Sequence, residues 1–127
     1  MVRLAWFEIP VNDLERAVSF YNTVFTTEVA ILDKRANYGS MVGLLIQSDT
    51  MIGTLTQNIP YVPSQREGCI LYLNVDDEPL QTVLLRVEAA GGQVLLPVTP
   101  IDPNRPLGHV AWILDSEGNR IGLHSSQ

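Results

Sequence analysis

With a single cysteine, Cys69, the chain has no intrachain disulfide available to it, which fits a reducing compartment. Charge is sparse as well. Only 17% of residues are Asp, Glu, Lys or Arg, and 8 cations face 14 acids. The net charge of −6 argues against a nucleic-acid partner, whose phosphates attract the opposite sign. It suits solubility, or a cationic ligand. No apolar run approaches the ~20 residues of a membrane-spanning helix. Glu8 also interrupts the N-terminal apolar segment before it resembles a secretion signal. The expectation is a cytoplasmic protein with neither a membrane nor a nucleic-acid partner. Disorder is excluded by the 46% of hydrophobic residues, and 127 residues suit a single domain with its own core.

What is present is a plan used twice. In WFEIPVNDLERAVSFY, strand alternation sets Phe7, Ile9 and Val11 on one face and Trp6, Glu8 and Pro10 on the other. A helix follows, with Asn12 or Asp13 able to cap it and Asn12–Glu15 at capping-box spacing. Its apolar stripe is Leu14, Ala17, Val18, Tyr21, Val24 and Phe25. Three segments of strand character come next, TTEVAILDK, YGSMVGLLIQ and MIGTLTQ, with QSDT between the last two reading as a hairpin turn.

From Cys69 the order repeats. CILYLNV is a strand with Cys69, Leu71, Leu73 and Val75 on one face, so Cys69 reads as a packed core thiol. Asp76 and Asp77 take the places of Asn12 and Asp13. A second helix follows with Pro79 near its start, the stripe Leu80, Val83, Leu84 and Val87, and an end at Gly91–Gly92. QVLLPV, HVAWILD and NRIGLHS complete the set. GSMVGLLIQSDTMIG and GHVAWILDSEGNRIG, starting at Gly39 and Gly108, match without a gap in their order of glycine, apolar run, polar turn and Ile-Gly. The fold class is therefore α+β, a tandem of βαβββ modules over residues 1–58 and 69–127 with a linker at 59–68.

VNDLERAVSFY from Val11, VDD from Val75 and DSEGNRIGLH from Asp115, in this order, resemble the vicinal oxygen chelate superfamily, which holds glyoxalase I, the bleomycin-resistance proteins and the extradiol dioxygenases. The resemblance covers nearly the whole chain. It implies a mixed sheet cupped around a ligand, and a homodimer. In metal-dependent members it implies ligands on the first and last strand of each module, which here are Trp6, Gly53, Ile70 and Gly122. None of these coordinates a divalent metal through its side chain, so the expectation is no metal and no other cofactor. One step along, the same layers give Glu8, Leu55, Tyr72 and His124.

The candidate catalytic residues are thus Glu8, His124 and Tyr72, a carboxylate, imidazole and phenol set suited to acid–base work. Candidate ligand-binding residues are Trp6, Glu8, Ile70, Tyr72, Trp112 and His124. Glu8 and His124 read equally well as a structural pair or as groups that handle a ligand. As metal ligands the two fall short of the usual three or four and would hold an ion weakly, and Arg120 is a rival partner for Glu8. His109 reads as a surface residue. The loop with Pro97, Pro100, Pro103 and Pro106 reads as a stiff crossover, or as a lid carrying Arg105. The leading function is a small-molecule binder without chemistry, for which Glu8 favours a cation. The alternative is an enzyme, a lyase, isomerase or detoxifying transferase, using Glu8 and His124 as acid, base or metal ligands. A third reading is a domain that acts only through protein contacts.

Overall fold

The computed structural model describes residues Met1–Gln127, and they fold as two βαβββ units. The first holds β1 (Phe7–Pro10), α1 (Leu14–Phe25), β2 (Ala30–Lys34), a single helical turn α2 (Arg35–Tyr38), β3 (Ser40–Gln47) and β4 (Thr50–Gln57). The second holds β5 (Leu71–Asn74), α3 (Leu80–Leu84), β6 (Gln93–Pro100), β7 (His109–Leu114) and β8 (Arg120–Ser125). Each unit builds its own four-stranded mixed sheet, in the orders β1-β4-β3-β2 and β5-β8-β7-β6. First and last strands pair in parallel, the others antiparallel. No strand pairing joins the two sheets. No helix is long and apolar enough to cross a membrane.

Local chemistry accounts for α1. Asp13 caps it, accepting from the Arg16 backbone N–H at 3.1 Å, and Thr26 ends it in the left-handed region at φ 48°. The stripe Leu14, Ala17, Val18, Tyr21 and Val24 is buried as expected, and Phe20 joins it. Helix α3 is shorter than its apolar stripe suggests. Beyond Leu84 the chain winds more tightly, with Arg86 and Val87 donating to the carbonyls of Val83 and Leu84, three residues back. Val87 remains fully buried. Pro97 and Pro100 lie within β6, an edge strand, where a missing N–H is tolerated.

Both helices and one face of each sheet share a single core that includes Ile9, Val11, Tyr21, Val83, Ile113 and Leu123. Each aliphatic side chain of this core contributes about 1.5–3 kcal/mol by burial. The other face of each sheet carries no helix.

Strand register corrects two expectations. Phe7 pairs with Gly53 and Glu8 with Thr54, so Gly53 and Leu55 share the helix face with Phe7 and Ile9. Leu55 is fully buried there. The residues sharing Glu8's face are Thr54 and Thr56. In the second unit Tyr72 pairs with Gly122 and Asn74 with His124, on the helix-free face as expected. The discrepancy comes from aligning two unlike hairpins without a gap. A tight turn at Ser48–Asp49 joins β3 to β4, and the register shifts at Leu45/Ile46. Residues 115–119 form a longer connection from β7 to β8. A slip of one residue exchanges the faces of a strand. Cys69 is likewise exposed, because β5 begins only at Leu71.

Candidate functional site

On the first sheet, Glu8 is held by hydroxyl groups. The Tyr61 hydroxyl, from the segment after β4, donates to Oε1 at 2.8 Å. The Thr56 hydroxyl donates to Oε2 at 3.0 Å. Thr54 and Thr56 lie 2.7 Å apart through their Oγ1 atoms. Since Thr56 gives its proton to Glu8, the proton between the threonines belongs to Thr54. The result is a directed chain, Thr54 to Thr56 to Glu8, with Tyr61 entering from the other side. The bond to Glu8 raises the pKa of the Tyr61 phenol. Trp6, just ahead of β1, is exposed.

The expected partners of Glu8, His124 and Arg120, are not its partners in the structure. Both belong to the second sheet, whereas Glu8 is satisfied from its own sheet and the adjoining linker. His124 Nδ1 is 3.1 Å from Asn74 Nδ2. Asn74 Oδ1 accepts from the Asp76 N–H, which fixes the amide with its NH₂ towards the imidazole. His124 Nδ1 must therefore accept, and the proton of the neutral ring sits on Nε2.

The second sheet assembles Tyr72, Trp112 and Arg120. The Tyr72 ring lies over Gly122, where a Cβ would come within 2.5 Å of it. This close approach requires glycine. Across the sheet, Trp112 Nε1 donates to the Tyr72 hydroxyl at 2.9 Å. The Arg120 guanidinium stands 5.7 Å from the Trp112 ring centre, within reach of a cation–π contact. Tyr72 is half-exposed, and Ile70, just ahead of β5, is also open to solvent. His109 bonds through Nδ1 to the Gln127 carbonyl at 2.7 Å.

With the register corrected, the first- and last-strand positions on the helix-free faces are Trp6, Thr54, Ile70 and Gly122. They offer one hydroxyl, already committed to Thr56, and nowhere do three His, Cys, Asp or Glu side chains converge. These residues do not fit a divalent metal. A cleft of about 440 Å³ lies elsewhere, bordered by Phe25, Leu45, Leu73, Asp76 and Asp77. It contains none of Glu8, Tyr72, Trp112, Arg120 or His124. The Asp76 carboxylate there is already bonded to Ser126.

The DSEGN segment proves to be a clamp between the units. Glu117, its side chain fully covered, accepts from the Asn12 and Asp13 N–H groups at 2.9 and 2.8 Å and from Arg16 Nε at 2.7 Å. The proposed capping box is thus replaced by a carboxylate from the other unit at the positive end of α1. Asp115 accepts from the Tyr21 hydroxyl at 2.7 Å, and Asn119 donates to the Pro10 carbonyl at 2.7 Å. Burial pushes the Asp115 carboxyl up and the Tyr21 phenol well up. Sequence reasoning missed Thr54, Thr56 and Tyr61. The alternating threonines of TLT carried a legible signal once the register was right, but Tyr61 in an irregular segment carried none.

Residues 3–26 match the family described as bleomycin resistance protein-like N-terminal. No curated protein matches the chain in sequence. Among solved structures, it is similar to a hypothetical protein from S. aureus at 18% identity and TM-score 0.66, over 98% of this chain and 95% of that one. It is similar to a glyoxalase I mutant from Zea mays at 19% identity and TM-score 0.69, over 95% of this chain but 45% of that one. The fosfomycin resistance protein FosX from Listeria monocytogenes matches at 14% identity and TM-score 0.67, over 98% and 91% of the two chains.

Proposed function

The chain has the vicinal oxygen chelate fold, and on that premise we propose that it binds a small organic molecule on the helix-free faces of its sheets, without a metal. One observation carries the reading. Tyr72 and Trp112 are locked together by a hydrogen bond on a face that no helix covers, and Tyr72 keeps 46% of its surface exposed. A rigid, half-open aromatic pair suits an apolar ligand body, and ordering it costs little further entropy.

Glu8 supports the cation-binding version less than composition alone, because two hydroxyl groups already share its charge. Two copies of the chain would cover open faces that expose Trp6 and Ile70, so a homodimer is part of the proposal. The exposed free thiol of Cys69 agrees with a reducing cytoplasm.

A second reading, an enzyme of the lyase, isomerase or transferase kind, draws on the Thr54–Thr56–Glu8–Tyr61 chain, which could hold and pass a proton at Glu8. A thermal-shift screen of small organic compounds on the parent and Trp112→Leu tests the binder. Hits that raise the parent's Tm and fail on the variant support it, since a ligand of the native state stabilises it. Hits that act equally on both refute it. Conversion of a hit to product, lost in Glu8→Gln, would instead establish the enzyme.

A further inference from the structure

We propose that the open face of the second sheet is an oxyanion site, so that the molecule it binds carries a carboxylate or a similar oxyanion on a flat apolar body. This rests on the small-molecule reading above and reverses the sign of charge that composition suggests. A count of donors and acceptors leads to it. Trp112 spends its N–H on Tyr72, whose oxygen accepts that bond and whose own proton goes to no protein group. His124, with Nδ1 accepting from Asn74, presents its remaining proton on Nε2. The Arg120 side chain enters no hydrogen bond and no ion pair, and its bonded group is the backbone N–H, to Ser64. None of the residues of β5, β6, β7 and β8 is Asp or Glu. The face is rich in unspent donors and has no anion of its own.

Arg120 is the decisive residue. Arg16, Arg35 and Arg86 each pair with a carboxylate. Arg120 rests instead against an indole, with Nε covered and unpartnered. An arginine in this position forfeits the hydrogen bond that its Nε–H made in water. Swinging the fork onto an acceptor would recover it, and a planar oxyanion accepts two parallel bonds from a guanidinium. The net charge of −6 does not prevent this, because salt screens distant charges within about 8–10 Å. The Tyr72 and Trp112 rings alongside would take the apolar body. The first sheet shows no matching demand, since Glu8 already has its donors.

The test uses three probes with one body, 2-naphthoate, 2-naphthamide and 2-naphthylmethylammonium, titrated calorimetrically into the full chain at about 0.15 M salt, where distant charges are screened. The expected order places the carboxylate at least tenfold tighter than the amide, the factor that one charge-assisted hydrogen bond supplies. The ammonium should be weakest. Arg120→Gln should erase the preference, and an unchanged circular-dichroism spectrum of the variant reports an intact fold. Arg120→Lys should keep part of it, as a point charge without the fork. If the amide or ammonium binds as well as the carboxylate, or Arg120→Gln keeps the preference, the oxyanion site is overturned while the binder reading survives. If none of the three binds, both fall. If Arg120→Gln turns a dimer into a monomer by light scattering, the acceptor belongs to a second copy, which also overturns the proposal.

Discussion

Replacing Glu117 by Gln probes the clamp that joins the units. The parent carboxylate is fully covered and receives the Asn12 and Asp13 N–H groups, two bonds from Arg16 at 2.7 and 2.9 Å, and the Ser116 hydroxyl at 3.0 Å. Glutamine keeps an oxygen for the two backbone donors but turns an NH₂ towards Arg16 and Ser116, which are donors themselves. Bonds to a charged acceptor contribute about 1.5–3 kcal/mol when buried. The Arg16 side chain is 54% exposed, so water screens its share and the backbone donors carry most of the loss. Adding the weakened bonds at the start of α1, the loss comes to about 2–3 kcal/mol. At about 3–5 °C per kcal/mol for a chain of this size, Tm should fall by about 6–15 °C in a calorimetric scan. Arg16→Met should cost less, since Glu117 keeps its backbone donors. A loss below about 0.5 kcal/mol for Glu117→Gln, or a larger loss for Arg16→Met, would refute the clamp.

The same substitution has a pH signature. Burial pulls the Glu117 carboxyl up, but its bonds from Arg16, the Asp13 N–H, Ser116 and the Asn12 N–H together hold it below the usual 4.5. A depressed carboxyl adds stability that is present above the unfolded value and lost as pH falls through the folded one. Asp115 works in the opposite sense. Burial raises its carboxyl, so its contribution grows as pH falls. The stability gap between parent and Glu117→Gln should therefore shrink from pH 7 to pH 3 in urea titrations, and a gap that widens contradicts the assignment.

Glu8→Gln keeps one acceptor for Tyr61 or Thr56, so the cost should be about 1 kcal/mol in urea unfolding. Loss of ligand response at that small cost would assign Glu8 to binding, and a loss above about 3 kcal/mol with binding intact would make it structural. Gly122→Ala would drive a Cβ into the Tyr72 ring and part it from Trp112. A destabilisation of about 1 kcal/mol or more is expected, with a shift in tryptophan emission, and an unchanged spectrum would deny the contact. Ser48 and Asp49 both have positive φ, at 48° and 65°, in the turn where Asn-Gly is favoured. The double change Ser48→Asn with Asp49→Gly should raise stability by about 0.5–1 kcal/mol in the same titration. A decrease would mean the turn has another geometry.

Much of the fold was written in neighbouring residues. The cap at Asp13, the stripe from Leu14 to Val24 and the turn at Ser48–Asp49 each depend on residues within a few positions of one another. The doubling of the plan could be read for the same reason. What lies opposite what across a sheet is another kind of fact. The register shift at Leu45/Ile46 and the longer 115–119 connection set Thr54, not Gly53, beside Glu8. A pattern match blind to that irregularity put the wrong residues on the face. Glu8 took its partners from Thr56 and from Tyr61, 53 positions away in an aperiodic segment, rather than from His124. Glu117 reached Asn12 across 105 positions, where capping chemistry looks only three residues ahead. Torsional preference and periodicity act over a turn or two of chain. The partner of a polar side chain is decided by which strands pair, in which register, and by the path of the segment between them, and these exist only once the whole core has closed.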